Sequence, residues 1–220
     1  MPICVEVWGD FACFTRPEMK VERVSYDVMT PSAARGLIES VFWHPGLRWS
    51  IDRIHVLRPI RFTNLRRNEV KSTVSARTAR TAMERGRGEL YLVTAEDIQQ
   101  RASLLLRDVR YVIEAHFDTT DRAAPGDNPG KFQEIVQRRL RKGQAYSEPY
   151  LGCREFPAAF APCAEIPPCP EELKGERDLG YLLYDMDYSD PENIRPRFFH
   201  AILRDGVLTV PPWDSGEVVG

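Results

Sequence analysis

Along the first sixty residues the hydrophobic positions change period twice. Ile3 to Phe14 is rich in Val, Ile, Trp and Phe and breaks at Gly9-Asp10, which predicts a strand with a bulge or bend. Thr30-Pro31 then offers a capping hydroxyl followed by proline at the first helical position. Behind it Ala34, Leu37, Ile38, Val41 and Phe42 recur at three- and four-residue spacing, so Ser32 to Trp43 is predicted as a helix. His44-Pro45-Gly46 stops it. From Leu47 to Phe62 the period falls to two. Leu47, Trp49 and Ile51, then Ile54 and Val56, alternate with polar residues, predicting a long strand with Arg48, Arg53 and Arg58 on its outer face.

Residues 63 to about 104 keep neither period and are interrupted by Gly86 and Gly88. They read as a basic, partly mobile insertion with a short strand at Glu89–Thr94. Leu105–Phe117 is predicted as a second long strand, and Asp121–Gly130 as a turn-rich loop. Lys131–Lys142 is predicted as a helix burying Ile135, Val136 and Leu140 and closed by Gly143. Tyr150–Phe156 reads as a further strand. Pro157–Pro170 holds five prolines in fourteen residues and reads as irregular. Leu179–Met186, Phe198–Leu203 and Val207–Val210 read as strands, the last two joined by a hairpin turn at Arg204-Asp205-Gly206. This order predicts an α+β fold of ferredoxin-like, RRM-like plan, β-α-β-β-α-β, with the basic insertion and a C-terminal β extension. The expected division is a domain over 1–156 and a proline-rich connection with the β extension over 157–220.

Composition narrows the class. The chain has 220 residues, 43% apolar and 28% charged, which suits a folded domain. No stretch approaches the ~18–20 consecutive apolar residues of a membrane-spanning helix, so no membrane partner is expected. The first residues show no basic segment followed by an apolar run, so no secretory signal is expected either. Five scattered cysteines without a C-x-x-C pair argue against a zinc ribbon or a redox dithiol and suit reduced thiols in the cytoplasm. No Walker-type loop is present. Asp185-x-Asp187, the carboxylate pair nearest to a two-metal pattern, reads as a solvated turn, so neither metal nor cofactor is expected.

Charge adds more. The net charge is only −2, but Arg48–Arg87 carries eleven basic residues against three acids, a local +8, while Glu148–Gly220 carries −8. Nearly all of the basic charge is Arg, whose planar fork matches phosphate oxygens. Arg48, Arg53, Arg58, Arg61, Arg66, Arg67 and Lys71, with Arg138 on the second predicted helix, are the expected nucleic-acid-binding residues, the alternative being a solvated basic face neutralised by the acidic tail. Trp43, Trp49 and Tyr111 read as core residues, with stacking on bases as the alternative, and His55 and His200 are assigned structural roles.

Certain strings are more specific. Glu6–Thr15, Glu39–Pro45, Ile51–Ile54, Leu57–Ile60, Arg107–Tyr111, Glu114–Phe117, Arg138–Gly143 and Tyr150–Glu155 follow one another over about residues 3 to 160. In order and spacing they resemble the type I-C CRISPR protein of the RAMP superfamily that processes precursor crRNA. The resemblance implies a metal-independent endoribonuclease that cuts in the repeat hairpin, leaves a 2′,3′-cyclic phosphate and stays on the crRNA 5′ handle within Cascade. Its implied partners are repeat RNA, the Cascade backbone and large subunits, and target DNA within the complex. The alternative is a handle-binding subunit without cleavage.

The family places a Tyr at the end of its first helix and a Lys-His pair at the start of its second. The matching positions here are Phe42, Lys131 and Phe132. Attack by a ribose 2′-OH on its own phosphate needs a proton acceptor, a donor to the leaving 5′-oxygen and a cation for the phosphoryl oxygens. Lys131 is the expected cation. His44, two residues past Phe42, is the expected acid or base in place of the missing groups. His116, on one strand face with Glu114, is a second candidate for catalysis or RNA contact.

Overall fold

A computed structural model describes residues 2–88 and 90–220. The chain runs β1 (Ile3–Ala12), α1 (Pro31–Val41), β2 (Leu47–Val56), β3 (Phe62–Val70), α2 (Ala76–Arg85), β4 (Ile98–Thr119), α3 (Pro129–Lys142) and β5 (Ala159–Pro162), then β6 (Glu176–Asp187), β7 (Arg195–Arg204), β8 (Val207–Thr209) and β9 (Val218–Val219). The main sheet has the order β5-β1-β4-β2-β8-β7-β6. With β3 and α2 set aside, β1-α1-β2-β4-α3-β5 in the order β5-β1-β4-β2 is the expected β-α-β-β-α-β plan.

The core forms because β1 and β4 alternate. Ile3, Val5 and Val7 are buried, as are Ile113, Ala115 and Phe117. α1 adds Ala34, Leu37, Ile38 and Val41, and α3 adds Phe132, Val136 and Leu140. Each large side chain so buried contributes roughly 1.5–3 kcal/mol. Thr30 caps α1 by accepting the Ala33 N–H at 3.2 Å, ahead of Pro31, as the sequence predicts.

The insertion is structured differently from its sequence reading. β3 pairs with Ile98–Leu106 of β4, so the two form an antiparallel arm with α2 in the connection between them. β4 changes partner from β2 to β3 between Tyr111 and Leu106, and Asp108 takes a left-handed φ of 51° in that stretch. The strand expected at Glu89–Thr94 is not found over Leu90–Thr94, and Glu89 lies outside the described residues. Leu90–Val93 is an exposed apolar run that pairs with no strand among the described residues.

Tyr150–Phe156 is a tight loop and not a strand. The Leu151 N–H closes back onto the Phe156 carbonyl at 2.8 Å, and Gly152 takes φ +83°. Gly152 is obligatory, since a Cβ there would lie 2.1 Å from the Cys13 carbonyl oxygen. The strand lies further on, as β5, inside the stretch expected to be irregular. Pro162 is tolerated because β5 is the outer edge of the sheet.

The C-terminal strands continue the same sheet through β8, which pairs with Arg53–His55 of β2. The expected hairpin is present. Asp205 and Gly206 both have positive φ (46° and 72°), the signature of a two-residue turn matched to strand twist. Among the described residues no helix is long and apolar enough to cross a membrane.

Candidate functional site

α1 ends because Phe42 leaves the helical region (φ −150°, ψ 117°) while its N–H still reaches the Ile38 carbonyl at 2.9 Å. The Trp49 indole N–H donates to the Phe42 carbonyl at 3.0 Å and pins this exit. The chain then turns through His44-Pro45-Gly46. Thr120 clamps that turn, its hydroxyl donating to the Pro45 carbonyl (2.6 Å) and its N–H to the Gly46 carbonyl (3.0 Å). A Cβ on Gly46 would sit 2.8 Å from the Ala123 Cα, so this glycine lets the 121–128 loop close in.

That loop delivers Asp127 and Asn128. Asn128 caps α3 by accepting the Lys131 N–H at 2.9 Å. Asp127 Oδ1 accepts from Lys131 Nζ at 2.8 Å, and Oδ2 lies 3.7 Å from His44 Nε2. The Ala124 N–H donates to Oδ2 at 3.0 Å. The hydrogen bond from Lys131 is the largest cause holding the Asp127 carboxyl below its ordinary range; the Ala124 N–H adds to it and desolvation opposes it. The Asp127 side chain is only 5% exposed, whereas that of Lys131 is 52% exposed. The Gly46 N–H donates to His44 Nδ1 at 3.0 Å, so the proton of a neutral ring sits on Nε2, facing Asp127. Lys131 and His44, assigned separately from sequence, therefore meet on one carboxylate.

Phe42 and Phe132 are 6% and 1% exposed. Their ring centroids lie 6.1 Å apart, and Phe132 also meets Phe117 at 6.2 Å and the His44 ring at 4.9 Å. At the two positions where the resemblance implies a hydroxyl and an imidazole, this chain has an aromatic wall. Arg139 lies over Phe42 at 5.2 Å and donates to the Val41 carbonyl at 2.5 Å, so it secures the C-terminus of α1.

The remaining candidates lie elsewhere. His116 projects from the face of β4 opposite to Phe117, and its Nδ1 is 2.8 Å from Asp52. It does not join the Lys131–His44 cluster. Arg48 and Arg53 are exposed on β2, Arg58 and Arg61 on the β2–β3 connection, Arg66 on β3 with Lys71 just past it, and Arg138 on α3. Arg67 differs: it is held by Glu155 and Glu69 midway along the arm and donates to buried Ser103. Among the described residues no carboxylate lies within ion-pair distance of Arg48, Arg61, Arg66, Lys71 or Arg138.

His55 contacts Glu114 at 2.5 Å, and His200 contacts Asp178 at 3.0 Å. Asp185 and Asp187 are not a solvated turn. They lie in β6, paired with Arg35 and Arg197. Trp49 and Tyr111 are buried as expected, but Trp43 is 60% exposed beside His44, because the chain has already left the helix there. Sequence reasoning did not single out Asp127. Its only sequence signal is i,i+4 spacing to Lys131, a spacing that surface pairs share.

The chain is similar to known proteins over nearly all of its length. The family model Cas_Cas5d, CRISPR-associated protein (Cas_Cas5), matches residues 3–211. A protein of Mannheimia succiniciproducens named CRISPR pre-crRNA endoribonuclease Cas5d is 48% identical, covering 98% of this chain and 97% of its own. One of the same name from Thermus thermophilus is 43% identical, covering 94% and 90%. A crystal structure of a CRISPR-associated protein superposes with a TM-score of 0.69 at 21% identity, covering 100% of this chain and 97% of that one, and so shares the fold. A chain of a CRISPR RNA-guided surveillance complex shares it more loosely, with a TM-score of 0.51 at 16% identity, over 95% of this chain and 90% of that one. This chain belongs to the Cas5d family of CRISPR-associated proteins.

Proposed function

We propose that this protein is an endoribonuclease that cuts precursor CRISPR RNA within its repeat and then stays on the 5′ handle of the crRNA as a Cascade subunit. The observation that carries the reading is the meeting of Lys131 and His44 on Asp127, at the positions the resemblance implies for the site, beside exposed Trp43. The names of the two curated relatives support the same activity.

In this reading the 2′-OH attacks the adjacent phosphate, and the 5′-oxygen leaves, giving a 2′,3′-cyclic phosphate without a metal ion. Lys131 turns from Asp127 toward the phosphoryl oxygens, whose charge grows in the transition state. His44 exchanges its proton through Nε2, since the Gly46 N–H occupies Nδ1. Trp43 offers a face on which a base stacks. The unpaired arginines of β2 and the arm follow the RNA backbone. The Cascade backbone and large subunits, with target DNA in the assembled complex, are the partners, and the cytoplasm is the compartment.

Incubating the purified protein with its repeat RNA in EDTA tests this. The expected product is a single cut with a cyclic phosphate at the 3′ end of the upstream fragment. A second reading, a handle-binding subunit without cleavage, is favoured by Phe42 and Phe132, which stand buried where the resemblance implies two polar groups. Tight binding with no cut would select it.

A further inference from the structure

Four of the five cysteines fall into neighbouring pairs, although no spacing in the sequence joins them. Cys163 donates its N–H to the Cys4 carbonyl at 3.0 Å across β1 and the end of β5. The second pair is built more closely. The Cys13 N–H donates to the Leu151 carbonyl at 3.1 Å, and Gly152 presses against the Cys13 carbonyl with no room for a side chain. This crossing places the next residue, Cys153, over Cys13. The Cys153 S–H donates to the Cys13 carbonyl oxygen at 3.6 Å, which lays the Cys153 sulfur against the Cys13 backbone. Thr15 Oγ1 sits between them, 3.5 Å from Cys13 Sγ and 3.9 Å from Cys153 Sγ. Arg23 Nη1 is 4.0 Å from Cys153 Sγ.

The two sulfurs have different surroundings. Cys13 is fully buried, and Cys153 is partly exposed. The neighbouring Cys13 thiol is the largest cause that brings the Cys153 thiol below its ordinary range, with Thr15 and Arg23 adding and burial and the Glu155 carboxylate opposing. The same pairing, with burial, pushes Cys13 up. A partly exposed thiol laid over a buried one, with one hydroxyl in reach of both sulfurs, is the arrangement of an attacking and a resolving cysteine.

We infer that Cys153 and Cys13 form an oxidant-responsive dithiol that closes to a disulfide with hydrogen peroxide. The Cys153 thiolate attacks one peroxide oxygen; an S–O bond forms, the O–O bond breaks and hydroxide leaves. The Cys13 sulfur then attacks Cys153 sulfur; the S–S bond forms, the S–O bond breaks, and the hydroxyl leaves as water with the Cys13 proton. The pair loses two electrons and the peroxide gains them. The bond ties the end of β1 to the Leu151–Phe156 loop. Glu155 of that loop clasps Arg23 and Arg67, so the cross-linked loop lies alongside the arm. The inference goes beyond RNA cleavage and does not depend on it.

The test is peptide mapping of the native full chain after a short peroxide pulse, without reductant. The expected result is a Cys13–Cys153 cross-linked peptide with a mass loss of two hydrogens, reversed by a dithiol reductant. Cys13→Ser should instead stop at a sulfenic acid on Cys153 that a dimedone probe traps. In wild type, iodoacetamide should label Cys153 at least ~10-fold faster than Cys163, with a pH midpoint below that of a free thiol. Should Cys13→Ser not fold, the wild-type map and the labelling ratio decide by themselves. Cys153 left reduced under peroxide, a cross-link made chiefly between Cys4 and Cys163, or equal labelling of Cys153 and Cys163 would overturn the inference.

Discussion

Asp127 holds Lys131 through one carboxylate oxygen, at 2.8 Å from Nζ, and faces His44 Nε2 with the other, at 3.7 Å. The carboxylate is buried within a loop while the ammonium it holds is half exposed, so the cation is oriented but reachable. Asp127→Asn keeps the shape and removes the charge. The expected result is repeat RNA bound with near wild-type affinity and cut about 10-fold more slowly, as Lys131 and His44 lose their common anchor. Single-turnover cleavage and filter binding on the same preparation check this.

The same carboxylate sets a pH dependence of stability. Its folded pKa lies below the ordinary value of 3.8, so its contribution is complete above that value and is lost as pH falls through the folded one. The stability gap between wild type and Asp127→Asn should therefore be flat from neutral pH to about pH 4 and close below it. Urea midpoints over that range measure it. A gap unchanged down to about pH 2 would mean that the charge is not what the variant removes.

Phe132 should behave as a core residue. It is 1% exposed and packs on Phe42, His44 and Phe117. Phe132→Ala should cost about 3–5 kcal/mol in urea unfolding, the scale for a deleted core aromatic. A loss below ~1 kcal/mol would show a loose wall at this position.

How far the sequence reached can be read from these residues. Thr30-Pro31 and Asp205-Gly206 were legible because their chemistry is local: a cap, a fixed φ, and two left-handed positions. β3 was not legible. It is mostly exposed, and its pairing comes from β4, nearly forty residues on, so no periodicity marks it. β5 was masked by its own proline, which only an edge strand accepts. Lys131 and His44 were named from a resemblance and from side-chain chemistry. Asp127, which joins them, lies in a turn where an aspartate is ordinary.

Arg66 and Arg67 are neighbours in sequence with opposite expected effects. Arg66 is exposed and unpaired among the described residues; Arg67 is locked to Glu155 and Glu69. Arg66→Ala with Lys71→Ala should lower the log–log salt slope of RNA binding by about 1.4, at roughly 0.7 per single-strand phosphate contact. Arg67→Ala should leave that slope unchanged and make the arm easier to cleave by protease. Binding isotherms from 50 to about 300 mM KCl separate the two.

The most direct measurement is the single-turnover cleavage rate of repeat RNA by Lys131→Ala, in EDTA, beside its affinity for the same RNA. The Lys131 charge acts on the phosphoryl oxygens mainly in the transition state, so the rate should fall by ~10²-fold or more while affinity falls only a few-fold. A Lys131→Ala protein that cuts at the wild-type rate would contradict the account and place the processing centre elsewhere.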